Sequence, residues 1–323
     1  MSFKAPVPRV NHATAEAVLD RMLSWYGLSH PREILPWINS RPALRLFDLR
    51  EPTALADAAA ALRSPIGRFR FRVDFGCNDS KVHPMLRILR STDHVLMLGR
   101  EIEHPLEHDD RDQHRDFTSV VTVRSVPSAG AALSTDRLPF HQDGLGTAGS
   151  VRYVAMCLDH GPIAGGSQFY VNLLAHGLLL AHRNWNRFVD ATQADALTVT
   201  RFSGSQAVSV TGPMFYVDET GVPAAHFRAG GGEYEVMPSP QVAPWFVEFL
   251  RSLSHAAESV SLLSGDCIVV DNLSVAHARS AFTESDTHCR RLSRKWYAID
   301  PTRTSVWNQA SFRLDRTIYR DPE

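Results

Sequence analysis

His141-Gln142-Asp143 and, far downstream, His277 are the residues of this chain best suited to hold a metal ion. Two neutral imidazoles and one carboxylate on three corners of an octahedron leave the opposite face open. That arrangement suits Fe(II), which needs vacant positions for a co-substrate and O2. The spacing serves the chemistry. Residues i and i+2 of a strand point to the same side, so His141 and Asp143 reach one ion while Gln142 faces away.

The elements around the downstream histidine must bring it back to that pair. Gly265-Asp266 is a turn signal, Cys267 to Val270 is an apolar, β-branched run of strand type, and Asp271-Asn272 is a second turn signal. This pattern predicts His277 just beyond a buried strand, in a short connection, with Asn272 capping the turn before it. Arg290 to Ile299 then reads as the next strand. Period-two alternation puts Arg290, Leu292, Arg294 and Trp296 on one face, with Arg291 as the competing register. Two guanidiniums on an otherwise apolar inward face are costly to desolvate unless an anion meets them, and a planar fork matches a carboxylate.

These segments resemble the Fe(II)/2-oxoglutarate-dependent oxygenases, in the group of clavaminate synthase, the arginine and asparagine oxygenases and the taurine dioxygenase-like enzymes. The resemblance is carried by Phe140-His141-Gln142-Asp143-Gly144, Arg152-Tyr153-Val154 to Leu158, and Gly165-Gly166-Ser167-Gln168-Phe169. It continues through Gly265-Asp266, Asp271-Asn272 and His277-Ala278-Arg279 to Arg290 and Arg294. It implies a mainly β fold with helical additions around a double-stranded β-helix, or jelly-roll, core. It also implies that His141, Asp143 and His277 hold iron and that Arg290 pairs with the distal carboxylate of 2-oxoglutarate. Arg294 is then a second co-substrate contact or an anchor for a substrate anion. The family frequently has a Thr after the Gly-Gly pair; here Ser167-Gln168 follows, and either side chain offers a hydrogen bond to the co-substrate.

The implied reaction couples decarboxylation of 2-oxoglutarate to succinate and CO2 with oxidation of an unactivated C–H bond. Hydroxylation is the default; desaturation, epoxidation and cyclisation share its chemistry. The carboxylate ligand Asp143 disfavours halogenation. The implied substrate is a small amino-acid-derived or peptide-like natural-product intermediate, with a small sulfonate or carboxylate as the second reading. A non-catalytic metal-binding β-helix acting as a sensor is the reading of another class, and the arginine at the co-substrate position argues against it. Among further site candidates, Gln142 lies between two ligands, and Arg228 precedes Gly230-Gly231-Gly232, which permit movement over a pocket. Arg279 either orients a carboxylate such as that of Asp143 or faces solvent.

Composition bounds the rest. The chain has 323 residues, 44% of them hydrophobic, with a formal charge of −1. That suffices for one large core and gives no electrostatic reason to expect nucleic acid or an anionic membrane surface. Cys77, Cys157, Cys267 and Cys289 are widely spaced, which argues against a zinc site or disulfide framework. With no signal-peptide pattern at Met1 to Pro8 and no apolar run long enough for a membrane span, a soluble cytoplasmic protein with a small-molecule substrate is expected. Oligomeric state has no signature here.

One oxygenase domain is expected over 1–323. Residues 1–115 read as a mainly helical part wrapping the core, with helices around Val18 to Tyr26, Ala54 to Leu62 and Met85 to Leu98, then a charged loop from Arg100 to Arg115. Residues 116–300 read as the β core, with helical inserts at Leu173 to Arg187 and Val242 to Leu253, and 301–323 as an extension. His104, His108 and His114 are expected to be solvated, His160 and His288 structural, and His176 and His182 exposed.

Overall fold

Short alternating strands dominate the chain from Leu46 onward, and most of their apolar faces close on one another. A computed structural model describes residues 14–40, 44–75, 82–102, 119–122, 134–144, 151–203, 206–218, 220–285, 289–298 and 308–313. Cys77, His104, His108, His114, His288 and the expected loop beyond Ile102 lie outside these residues.

The helices are α1 (Ala15–Tyr26), α2 (Ile34–Ser40), α3 (Pro52–Leu62), α4 (Pro84–Leu96), α5 (Leu173–Arg183), α6 (Trp185–Ala191) and α7 (Ala243–Ala256). The first starts where Thr14 accepts from the Ala17 N–H and stops at Gly27 in the left-handed region. The helical insert expected at Leu173 to Arg187 is two helices. Asn184 ends α5 and caps α6 by accepting from the Arg187 N–H.

The strands are β1 (Leu46–Phe47), β2 (Arg68–Arg72), β3 (Arg100–Ile102), β4 (Ser119–Thr122), β5 (Leu138–His141), β6 (Tyr153–His160), β7 (Ala164–Gly165), β8 (Gln168–Asn172), β9 (Leu197–Ser203) and β10 (Gln206–Gly212). They continue as β11 (Phe215–Val217), β12 (Pro223–Ala225), β13 (Tyr234–Pro238), β14 (Glu258–Val260), β15 (Asp266–Asp271), β16 (Val275–Arg279), β17 (Phe282–Thr283), β18 (Arg291–Ala298) and β19 (Asn308–Arg313).

A seven-stranded sheet has the order β1-β2-β15-β6-β18-β3, with β4 also paired to β18. A four-stranded sheet has the order β14-β8-β16-β5. The inner faces of the two sheets meet: Val154, Met156, Ile268, Val270, Leu292 and Trp296 from the larger pack with Tyr170, Val260 and Val275 from the smaller. The outer face of the larger sheet is covered by α3 and α4, and that of the smaller by α1, α5 and α7. A further sheet, β13-β9-β10-β19, adds to the helical side.

Two expectations need correction here. The part before residue 115 is helical but also contributes three strands to the larger sheet, β2 lying beside the central β15. The alternation Arg68-Phe69-Arg70-Phe71-Arg72 buries both phenylalanines, while its arginines meet Glu258 and Asp266. His277 does not sit in a connection; it is the middle residue of β16, and the turn ends at Ser274. Alanines alternate with Val275, His277 and Arg279, and alanine is a poor strand signal.

Gly265 explains the turn before β15. Its φ is +86°, and a Cβ there would lie 2.4 Å from the Val73 carbonyl oxygen. No other residue closes this turn without displacing β2.

Candidate active site

Register builds the site. Tyr170 on β8 faces His277 on β16, His277 faces His141 on β5, and His141 forms an isolated antiparallel bridge with Arg228. Cross-strand partners share a face, so these four side chains form one row across the smaller sheet. Asp143, two residues past His141, turns back to the same point. His141 Nε2 lies 3.6 Å and His277 Nε2 3.9 Å from Asp143 Oδ1, and the imidazole centroids are 4.3 Å apart. All three residues are buried.

The protonation states fit a cation. His141 Nδ1 sits 2.8 Å from the Pro139 carbonyl, which makes Nδ1 the protonated nitrogen and leaves the Nε2 lone pair free. Burial, reinforced by the neighbouring His141, pushes His277 down to about 3, and burial also lowers His141. Burial alone would raise the Asp143 carboxyl, but Arg294 and the two imidazoles outweigh it and hold it well below the usual carboxylate range. Near neutral pH the set is two neutral imidazoles and one carboxylate. Cis donors around a six-coordinate first-row ion lie about 3 Å apart, so the observed separations need only a small contraction.

Two groups on β18 hold Asp143. Trp296 Nε1 donates to Oδ2 at 2.9 Å, and Arg294 Nη1 lies 3.2 Å from the same oxygen. Asn272 clamps the Asp143 backbone, accepting from its N–H (2.8 Å) and donating to its carbonyl (2.9 Å). Gln142 points the other way and donates to the carbonyls of Ala225 (2.8 Å) and Asn272. Gln142 therefore fastens the chain behind the site and does not face substrate space. The sequence pattern offered no hint of the Trp296 and Asn272 contacts beyond Trp296 sharing a face with Arg294.

Arg290 is buried, at 2% exposure, one residue before β18, and a register shift separates Arg291 from Leu292. Arg291 takes the opposite side, with its Nε 3.4 Å from Asp159. Among the described residues the Arg290 guanidinium has no carboxylate within salt-bridge distance; it lies 5.4 Å from the centre of the Phe282 ring. Burial pushes it down to about 10. Close by, the Tyr170 hydroxyl is buried with no hydrogen-bond partner, and burial raises its pKa. Tyr170 was not singled out from the sequence, although the alternation Gln168-Phe169-Tyr170 puts it on the face of Gln168.

Arg279 departs from both expectations. It neither touches Asp143 nor faces solvent: Nη2 donates to the Ser134 and Asp136 carbonyls, both at 2.7 Å, and the guanidinium packs on Phe282. Burial, then the charge of Arg290, lowers it to about 9. Ser167 lies 3.5 Å from Ser261, whereas Gln168 is buried and shares the face of Tyr170 and His277. His176, expected at the surface, is buried in α5 with Nδ1 2.9 Å from the Asn172 carbonyl.

A second cluster, His83, Cys157 and Asp159, also brings potential ligand atoms together. Its imidazole is already committed. Nδ1 accepts from the Met85 N–H to cap α4, which leaves Nε2 to donate to Asp159 at 3.1 Å.

The model of the family described as taurine catabolism dioxygenase TauD, TfdA family, matches residues 84–296. The chain belongs to the TauD/TfdA family. Its match takes in all three ligand candidates together with Arg290 and Arg294. No curated protein sequence matches it. Among solved structures of similar fold is an asparagine oxygenase in complex with Fe(II), 3-hydroxyasparagine and succinate, at 16% identity and a TM-score of 0.58, covering 90% of this chain and 93% of that one. The non-heme iron oxygenase OrfP, with Fe, succinate and (3S)-hydroxy-L-Arg, gives 13% identity and a TM-score of 0.56, covering 90% and 94%. Identities this low show a shared fold. Among the described residues no helix of this TauD/TfdA protein is long and apolar enough to cross a membrane.

Proposed function

We propose that this protein is an Fe(II)- and 2-oxoglutarate-dependent oxygenase of a small amino-acid-derived molecule, with hydroxylation as its default outcome. One observation carries the reading: His141, Asp143 and His277 converge in a buried cluster, and Arg290, buried at the Tyr170 end of the same site, has no carboxylate within salt-bridge distance among the described residues. On this reading the whole chain works as one domain, in the cytoplasm, and its two facing sheets form a double-stranded β-helix.

His141, Asp143 and His277 would hold the iron, which supplies open coordination positions where a keto acid and O2 react. The chain's own contribution is positioning. The Pro139 carbonyl fixes the tautomer of His141, and the Trp296 indole and Arg294 orient Asp143 so that its Oδ1 faces the imidazoles. Arg290 would fork onto the distal carboxylate of 2-oxoglutarate, with Tyr170 and Gln168, rather than Ser167, as hydrogen-bonding neighbours. Arg294, committed to Asp143, serves as a positioning residue instead of a second co-substrate contact. The bound asparagine and arginine products of the two fold relatives support an amino-acid-derived substrate. The family description supports a small sulfonate as the second reading.

The test is succinate release from 2-oxoglutarate by purified protein supplied with Fe(II), ascorbate and O2. Slow uncoupled turnover that disappears in His141→Ala is expected. Tight metal binding with no succinate would instead favour a sensor.

A further inference from the structure

Arg228 is a second buried cation of the site that has no counterion among the described residues. It is 6% exposed, its Nε has no hydrogen-bond partner, and among the described residues no carboxylate lies within salt-bridge distance of its guanidinium. Glu233, the nearest acid in sequence, pairs with Arg201 at 3.9 Å instead.

The backbone aims this side chain at the ligand set. Gln142 N–H donates to the Phe227 carbonyl (3.2 Å) and Ala229 N–H to the Phe140 carbonyl (2.8 Å), so His141 and Arg228 are a non-hydrogen-bonded antiparallel pair. In such pairs the two side chains rise close together from the same face. Arg228 therefore extends the row Tyr170, His277, His141 to the side of the site away from Arg290.

Its orientation is set from below. The Gly230-Gly231-Gly232 turn, all at positive φ, folds Tyr234 back so that its ring centre lies 3.3 Å from the Arg228 guanidinium carbon. The turn is closed by mutual hydrogen bonds between Gly231 and Tyr234, and a Cβ at Gly231 would lie 2.9 Å from Pro139. Stacking occupies a face of the guanidinium plane and leaves its N–H donors, which lie in the plane, free to meet a ligand; of these Nε is buried without a hydrogen-bond partner. A buried guanidinium whose Nε has no partner, and which has no carboxylate within salt-bridge distance among the described residues, is suited to an oxyanion.

The bound co-substrate does not meet that need on the oxygenase reading, because its distal carboxylate goes to Arg290. Arg294 is paired with Asp143, and Arg279 with two backbone carbonyls. We propose that Arg228 anchors a carboxylate or sulfonate group of the primary substrate, placing that group beside His141 and across the site from Arg290. The proposal rests on the oxygenase reading and narrows it to substrates that carry an oxyanion. Neutral amides and esters of the same skeleton are excluded.

The test uses the full chain loaded with Fe(II) and 2-oxoglutarate without oxygen, loading being measured first. Apparent affinities for propionate, ethanesulfonate and propionamide are then read from melting-temperature titrations at matched ionic strength. At least one of the two anions should bind and the amide should not; which anion binds tells carboxylate from sulfonate. Arg228→Gln should weaken anion binding about tenfold or more, Arg228→Lys should recover part of it, and 2-oxoglutarate affinity should change less than about threefold in either. Equal binding of propionamide and propionate by the parent protein would overturn the proposal, and so would unchanged anion binding in Arg228→Gln. An equal loss of 2-oxoglutarate affinity would overturn it too, since Arg228 would then hold the co-substrate. The parent comparison stands even if the glutamine variant fails to fold. Failure to load would sink the oxygenase reading and this one with it; loading without anion preference sinks this one alone.

Discussion

Arg290 and Trp296 each have a part that a single substitution checks. Arg290→Gln removes the charge proposed to meet the co-substrate and should weaken 2-oxoglutarate binding by about 1.5–3 kcal/mol, or roughly 10- to 150-fold. Fe(II) binding should stay near that of the parent, because Arg290 touches no ligand. Titration of each component by calorimetry separates the two. Trp296→Phe deletes the indole N–H that holds Asp143 Oδ2. Loss of such an outer partner should lower metal affinity about 10- to 100-fold. An unchanged metal isotherm would show that Arg294 alone positions the carboxylate. At this scale the sequence disclosed the side chains with strong chemical type: two histidines, an aspartate at i+2, and arginines on an apolar strand. Trp296, Asn272 and Tyr170 were hidden because their parts depend on which strand faces which. That information lies in register between segments more than a hundred residues apart, not in local spacing.

Elements were legible in proportion to the strength of their local signals. Helices α1 and α7 announce themselves by 3.6-residue periodicity, and α3 by Pro52 at its first turn ahead of an alanine-rich stretch. Strand β2 did not, because arginine at every second position reads as a solvated segment until Glu258 and Asp266 arrive from elsewhere in the chain. His277 was misplaced for the converse reason: alanine neighbours gave its strand no β-branched signature. The Gly265-Asp266 turn was legible, and it offers a test of how β15 is held. Gly265→Ala forces a Cβ into the Val73 carbonyl at positive φ, so it should destabilise the fold by more than about 1 kcal/mol. Thermal melting of the variant reads this directly. A melting temperature equal to the parent's would mean that β2 and β15 separate at little cost.

For the whole molecule, burying His277 has a consequence for stability against pH. His277 titrates at about 3 in the folded protein and near 6.5 when unfolded. Between these values the unfolded chain binds the extra proton, so stability falls as pH drops below 6.5 and the loss continues toward pH 3. His277 should contribute a loss of about 1.4 kcal/mol per pH unit in metal-free protein within that window, and His226, which burial also pushes down to about 3, should add to it. His277→Gln should flatten the slope in denaturant melts taken from pH 6.5 to 4.5; a slope independent of that substitution would show that other groups govern acid sensitivity. Above pH 6.5 the same group contributes no pH dependence.

The convergence of His141, Asp143 and His277 on one ion is tested most directly by counting that ion. Anaerobic equilibrium dialysis of the full chain against Fe(II) should give one iron per chain. His141→Ala, Asp143→Ala and His277→Ala should each weaken binding by at least about tenfold while the far-ultraviolet dichroism stays that of the parent. Iron retained at parental affinity in His277→Ala would contradict the account, because the strand that carries this residue would then contribute nothing to the centre.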